Sequence, residues 1–212
     1  MARGIFEWSF NIIVLIFATS MVAQPFIIPT GSMESTLLVG DHIVVDKLAY
    51  APRGTFPLLP YAEPKHGDII VFRFPPDIRE TYVKRVIGTP GDRIRMANKQ
   101  VFRNGRLLTE PYTRHISPAY IPTRDDIPEI EVPPGQYFAM GDNRDNSSDS
   151  RVWGFVPREN IIGKPLIVYW SYEAPTEDLT DYSLHHALDL AQHFFTRTRW
   201  NRTLQLVRPD TL

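Results

Sequence analysis

From Trp8 to Ile28 the chain is almost wholly apolar, interrupted by Asn11, Gln24 and a few small hydroxyls. A helix rises ~1.5 Å per residue, so this run would span roughly 30 Å, about one hydrocarbon core. Pro25 near its end marks where such a helix stops. No Lys or Arg lies between Arg3 and Lys47, so Arg3 and the amino group, opposed by Glu7, are the charges that hold the N-terminus inside. The positive-inside rule then places the N-terminus in and the rest of the chain out. A cleavable leader needs small residues three and one before its cut, and the best candidate ends at Ala23 with Met21 two before it. A buried core helix is the other alternative, but so uniform a run suits lipid better. The expectation is an uncleaved transmembrane anchor over residues 1–28.

The rest of the chain leaves little room for long helices, because its 19 prolines outnumber its 12 glycines. Short apolar runs follow turn signals instead. Ile43-Val44-Val45 follows Gly40-Asp41, and Ile69 to Phe72 follows Gly67-Asp68. Thr81 to Ile87 reads as a strand, Lys99 to Leu108 as a hairpin turning at Asn104-Gly105, and Tyr137 to Met140 and Leu166 to Trp170 as two further strands. The fold class expected is mainly β, an antiparallel core with a small β insert. One late helix is expected over Asp178 to Trp200, where Leu184, Leu188, Ala191, Phe194 and Phe195 recur at helical spacing.

A net charge of -1 gives no electrostatic reason to expect nucleic acid. The absence of cysteine excludes disulfides, Cys-ligated zinc and a cysteine nucleophile. Six histidines are present, none in a Ser-His-Asp setting, and His185-His186 lacks the spacing of a helical zinc pair. No metal or cofactor is expected. Nucleophilic catalysis would need another base, and a lysine serves when burial keeps it neutral.

Among Lys47, Lys65, Lys84, Lys99 and Lys164, Lys84 stands out because it lies mid-strand on the face of Tyr82 and Val86. An ordinary strand charge remains the competing reading. Ser32 follows the apolar run within Pro29-Thr30-Gly31-Ser32. Gly31 permits close approach of backbone to substrate, and the Thr30 hydroxyl with the Ser32 N–H can form an oxyanion hole. Taken alone, Ser32 reads better as a helix N-cap, because Glu34-Ser35 and a short apolar run follow it. The third feature is the polar stretch Gly141 to Arg151, which does not match a calcium loop and reads as solvated, or as a hydrogen-bonded support for a site.

Taken together, Ser32-Met33-Glu34-Ser35-Thr36-Leu37, His66 to Phe72, Tyr82 to Asp92 and Gly141 to Pro157 resemble, in order, the motifs of the bacterial type I signal peptidases, a Ser/Lys-dyad family. The resemblance covers roughly residues 8–92 and 136–172. It implies a membrane-bound endopeptidase that removes signal peptides after small residues. Ser32 would be its nucleophile, Lys84 its general base, Thr30 part of the oxyanion hole and Ser147 the group that orients the Lys84 amine. Arg85, Asp142, Asp149 and Arg151 would be ion-pair supports. Ile28, Met33, Leu37, Ile43, Val71, Tyr82 and Val83 would line shallow pockets for small side chains. Its substrate would bind as an added strand.

The implied organisation is an anchor (1–28), a catalytic core (29–92 and 136–172), an insert (93–135) and a C-terminal segment (173–212). The implied partners are signal peptides and the lipid bilayer, with a single pass through the bacterial inner membrane and the catalytic domain outside. Ser35 stands where the family usually has proline, and His66 replaces a common arginine. A dedicated maturation peptidase for one precursor, and a catalytically silent membrane-tethered peptide-binding domain, are the alternatives.

Overall fold

The computed structural model describes residues 2–17, 21–51, 62–180 and 183–208. Its elements in chain order begin with helix α1 (Ala2–Phe17) and strands β1 (Ala23–Ile27), β2 (Asp41–Asp46), β3 (Ile69–Phe74) and β4 (Asp77–Gly88). Next come β5 (Arg93–Ala97), β6 (Gln100–Arg103), β7 (Arg106–Leu107), the short helix α2 (Pro122–Asp125), β8 (Ile127–Glu131) and β9 (Gln136–Met140). Helix α3 (Ser150–Trp153), β10 (Val156–Pro157), β11 (Ile161–Ser171), helix α4 (Leu184–Arg197) and β12 (Gln205–Leu206) follow.

The strands pair antiparallel throughout, as the mainly β reading expects. The main sheet runs β1-β2-β11-β3-β4-β9-β10, with β12 beside β11, and a second sheet runs β7-β6-β5-β8. Alternation sets which side is buried: in β2, Asp41, Ile43 and Val45 point inward while His42, Val44 and Asp46 are half-buried. From Lys84 to Gly88 every residue of β4 is buried, because both faces of that end are covered. This two-sided burial is what withdraws charged side chains of β4 from water. The expected hairpin forms at Asn104-Gly105, where φ of 53° and 76° is the left-handed pair a two-residue turn requires.

The N-terminal run departs from expectation. Helix α1 covers 16 residues, about 24 Å at the helical rise. No described helix is long and apolar enough to cross a membrane. Residues 18–20 of the expected span lie outside the described residues, and Ala23–Ile27 forms an edge strand paired with β2 instead of continuing the helix. An unbroken apolar run carries no period that separates a helix from a buried strand. Pro25 interrupts a helix but is tolerated on a sheet edge. The late helix is shorter than the expected span, and Phe194 on it packs towards Trp170 and Trp200.

Candidate active site

Ser32 lies in a loop whose ends are tied together where β1 leads into β2. Ile28 N–H donates to Asp41 O and Gly40 N–H to Ile28 O, both at 2.9 Å. Inside the loop, Gly31–Met33 forms one 3₁₀ turn, and Leu37 N–H donates to Met33 O at 2.8 Å. Ile28, Met33 and Leu37 sink into a core with Ile43, Val45, Ile69, Val71 and Val168. Each such side chain contributes about 1.5–3 kcal/mol, so the turn is pinned by apolar anchors on both sides of the serine. Ser32 is not the helix cap of the competing reading. Thr30 occupies that position and makes no capping bond.

Ser35 has φ of 102°, which a proline ring cannot adopt, so the turn here differs from one built on proline.

Lys84 reaches Ser32 from β4. Its Nζ donates to Ser32 Oγ at 2.7 Å and to Val83 O at 3.1 Å, and it stands 5.3 Å from the Tyr82 ring centre. The side chain is 3% exposed and forms no ion pair among the described residues. Burial therefore dominates and pushes the pKa down to about 8, against the opposing pull of the Asp149 and Asp142 charges. A lysine in this state exchanges a proton with a contacting hydroxyl near neutral pH.

The polar stretch supports the site from below. Arg85 grips Asp142 with Nε–Oδ1 at 2.8 Å and Nη2–Oδ2 at 2.7 Å, both side chains being almost wholly buried. Thr36 Oγ1 donates to the same carboxylate at 2.5 Å, linking it to the Ser32 loop. Asp149 and Arg151 pair at 2.8 Å. Burial works to raise the Asp149 carboxyl, but the guanidinium beside it and the Gly141 N–H outweigh that and hold it below the usual carboxylate range. Gly141 is required by space: a Cβ there would lie 2.4 Å from Ser32 O and 2.3 Å from Ser147 Oγ.

The other expected residues divide. Thr30 Oγ1 lies 3.5 Å from Ser32 Oγ on the exposed side of the turn. Ser147 is packed close by, but its buried hydroxyl makes no hydrogen bond of normal geometry, and the bonds of Lys84 go to Ser32 and Val83. A groove of about 550 Å³ runs past Ser32 and Lys84, lined in part by Phe26, Ile28, Thr30, Met33, Tyr82 and Val83. Leu37, Ile43 and Val71 do not line it. They are fully buried in the core beneath, packed with Ile28 and Met33.

Asn143 was not singled out in the sequence. Its backbone N–H donates to Ser32 O and its side-chain amide to Gly31 O, both at 3.1 Å. Residues of the small sheet's connections also reach the site. Tyr112 stacks its ring 3.7 Å from the Arg85 guanidinium, and Glu110 takes a two-pronged bond from Arg144. The signal that could have found Asn143 is its place beside Asp142, at the start of a polar stretch that follows a buried strand.

Comparison with known proteins identifies the family. The family described as "Signal peptidase, peptidase S26" matches residues 3–170. The chain is 36% identical over 211 residues to "Signal peptidase I" of Pseudomonas aeruginosa, covering 82% of this chain and 72% of that one. It is 40% identical over 156 residues to "Probable signal peptidase I-1" of Synechocystis sp., covering 70% and 72%. To "Signal peptidase I" of Aquifex aeolicus it is 32% identical over 231 residues, covering 83% and 87%.

Proposed function

The chain belongs to the signal peptidase, peptidase S26, family, and from that premise we infer that it is a hydrolase that removes signal peptides from secretory precursors. The observation that carries the chemistry is the 2.7 Å contact between Ser32 Oγ and a lysine amine whose pKa burial lowers to about 8. Ser32 Oγ attacks the scissile carbonyl and Lys84 takes its proton. The negative charge that develops on the carbonyl oxygen is met by the Ser32 N–H and the Thr30 hydroxyl. The Lys84 ammonium then protonates the departing amine, and water attacks the acyl-enzyme with Lys84 again as base. Arg85–Asp142, Asp149–Arg151 and Asn143 hold the two reacting groups in register, and Ser147 orients the Lys84 amine once substrate is bound.

Residues 29–92 and 136–172 form the peptidase core, with 93–135 as an insert that braces it. The groove beside Ser32 receives small side chains before the cut, and Ile28, Met33, Tyr82 and Val83 restrict its depth. Leu37, Ile43 and Val71 shape its floor from beneath. The substrate enters extended, as a strand added to the protein. Membrane attachment is by α1, whose Trp8, Phe10, Ile13 and Leu15 are all exposed and so present apolar surface suited to lipid. The enzyme sits in the bacterial inner membrane with its site on the outer face, where a signal peptide leaves the bilayer.

The test is cleavage of a detergent-solubilised precursor whose signal ends in Ala-x-Ala. The wild type cuts after the second alanine, and Ser32→Ala and Lys84→Ala each lose about a thousandfold or more in kcat/KM. Equal cleavage by all three proteins would place the chemistry elsewhere.

A further inference from the structure

The Ser32 loop is held by more than its own core. Three of its backbone carbonyls are taken by donors from the C-terminal part of the chain, a region outside every motif of the sequence. Thr176 Oγ1 donates to Pro29 O at 2.8 Å, Arg202 Nη2 to Thr36 O at 3.1 Å and Arg199 Nη1 to Val39 O at 2.9 Å. The loop is thus tied on both sides of the serine.

Both arginines converge on Asp41, which is fully buried at the foot of the loop. Arg202 grips it as a fork, Nη2–Oδ2 at 2.5 Å and Nε–Oδ1 at 3.2 Å. Ser171 Oγ donates to Asp41 Oδ1 at 2.6 Å, and Arg199 Nη1 donates to Ser171 Oγ at 3.1 Å. Asp41 in turn accepts from Leu38 N–H at 2.9 Å, inside the loop itself. Gly40 completes the contact: its φ is 86°, its carbonyl accepts from Tyr172 N–H at 3.0 Å, and a Cβ there would lie 1.9 Å from Tyr172 O. None of Thr176, Arg199 and Arg202 lines the groove, so none is placed to touch substrate.

We propose that Ser171, Thr176, Arg199 and Arg202 act as a clamp that fixes Ser32 within reach of Lys84, with Arg202 as its principal positioning residue. The inference rests on Ser32 being the nucleophile. Lys84 is set by β4 and does not depend on the clamp, so any slack falls on the serine side of the 2.7 Å contact. A guanidinium can hold a carboxylate with two N–H groups and still present a donor to Thr36 O, and a lysine ammonium has no such fixed geometry. Displacement of a reacting group by about 1 Å costs on the order of a hundredfold in rate.

The experiment uses the full chain in detergent and measures kcat and KM per folded molecule, well below each variant's Tm. Arg202→Ala is expected to lower kcat about 50-fold, Arg202→Lys about tenfold, and Thr176→Val about fivefold. KM should stay within about twofold of wild type, because the groove is untouched. Unchanged kcat in Arg202→Lys and Thr176→Val, with only Tm lowered, would overturn the clamp and leave a structural tie. Those two variants decide the matter if Arg202→Ala does not fold. Ser32→Ala is measured alongside: residual cleavage there would refute the nucleophile, whereas its inactivity together with unchanged Arg202 variants refutes the clamp alone.

Discussion

Lys84 and Arg85 are adjacent on β4 and both are withdrawn from water, yet the two faces of that strand treat a buried cation in opposite ways. Arg85 meets a carboxylate on two prongs, the Gly67 carbonyl at 2.9 Å and an aromatic face at 3.7 Å. Lys84 meets one hydroxyl and one carbonyl. On the first face the charge is compensated. On the second it is not, and the proton becomes easy to lose. The difference teaches that burial alone makes neither a structural nor a reactive cation. What decides is whether an acceptor of opposite charge comes with it.

The largest stability effect should come from breaking the compensated face. Arg85→Met leaves Asp142 buried without its partner and should cost about 3–5 kcal/mol, read from denaturant unfolding. A loss below about 1 kcal/mol would mean that Thr36 and the backbone satisfy the carboxylate without Arg85. On the other face the sign reverses.

Lys84 is lowered from 10.5 to about 8 by burial, which at 1.36 kcal/mol per pH unit corresponds to roughly 3 kcal/mol. Below about 8 it is charged in both folded and unfolded chains, so folding must bury the charge. Between about 8 and 10.5 the unfolded chain holds a proton that the folded protein has released, and stability rises with pH. Lys84→Met should therefore stabilise the protein by roughly 3 kcal/mol at neutral pH. The advantage should shrink across that window and vanish above it. A gain that does not depend on pH would contradict the uncompensated charge.

Much of this was legible in the sequence where the signal is local. The Asn104-Gly105 turn, the strands on either side of it and Lys84 on the face of Tyr82 all follow from period and residue type. Ser32 could not be told from a cap by its neighbours, because the two readings differ only in whether Lys84 arrives. The resemblance makes pocket residues of Leu37, Ile43 and Val71, but only the packed structure shows that they lie in the core beneath the groove. Asn143 sits in a stretch whose polarity suggests solvent, yet Gly141 to Arg144 are buried against the Ser32 loop. The Asp41–Arg202 pair joins residues 161 apart in the chain and leaves no local trace. The apolar N-terminal run misleads in the opposite direction: its last part is an edge strand, and hydrophobicity without a period does not say so.

The most direct test of the central claim is the pH dependence of kcat/KM for the wild-type enzyme on an Ala-x-Ala precursor. The account predicts an acid limb that rises tenfold per pH unit and levels near the Lys84 value of about 8. A flat profile from pH 6 to 10, on the order of four units across the expected inflection, would contradict a neutral Lys84 as the base that activates Ser32.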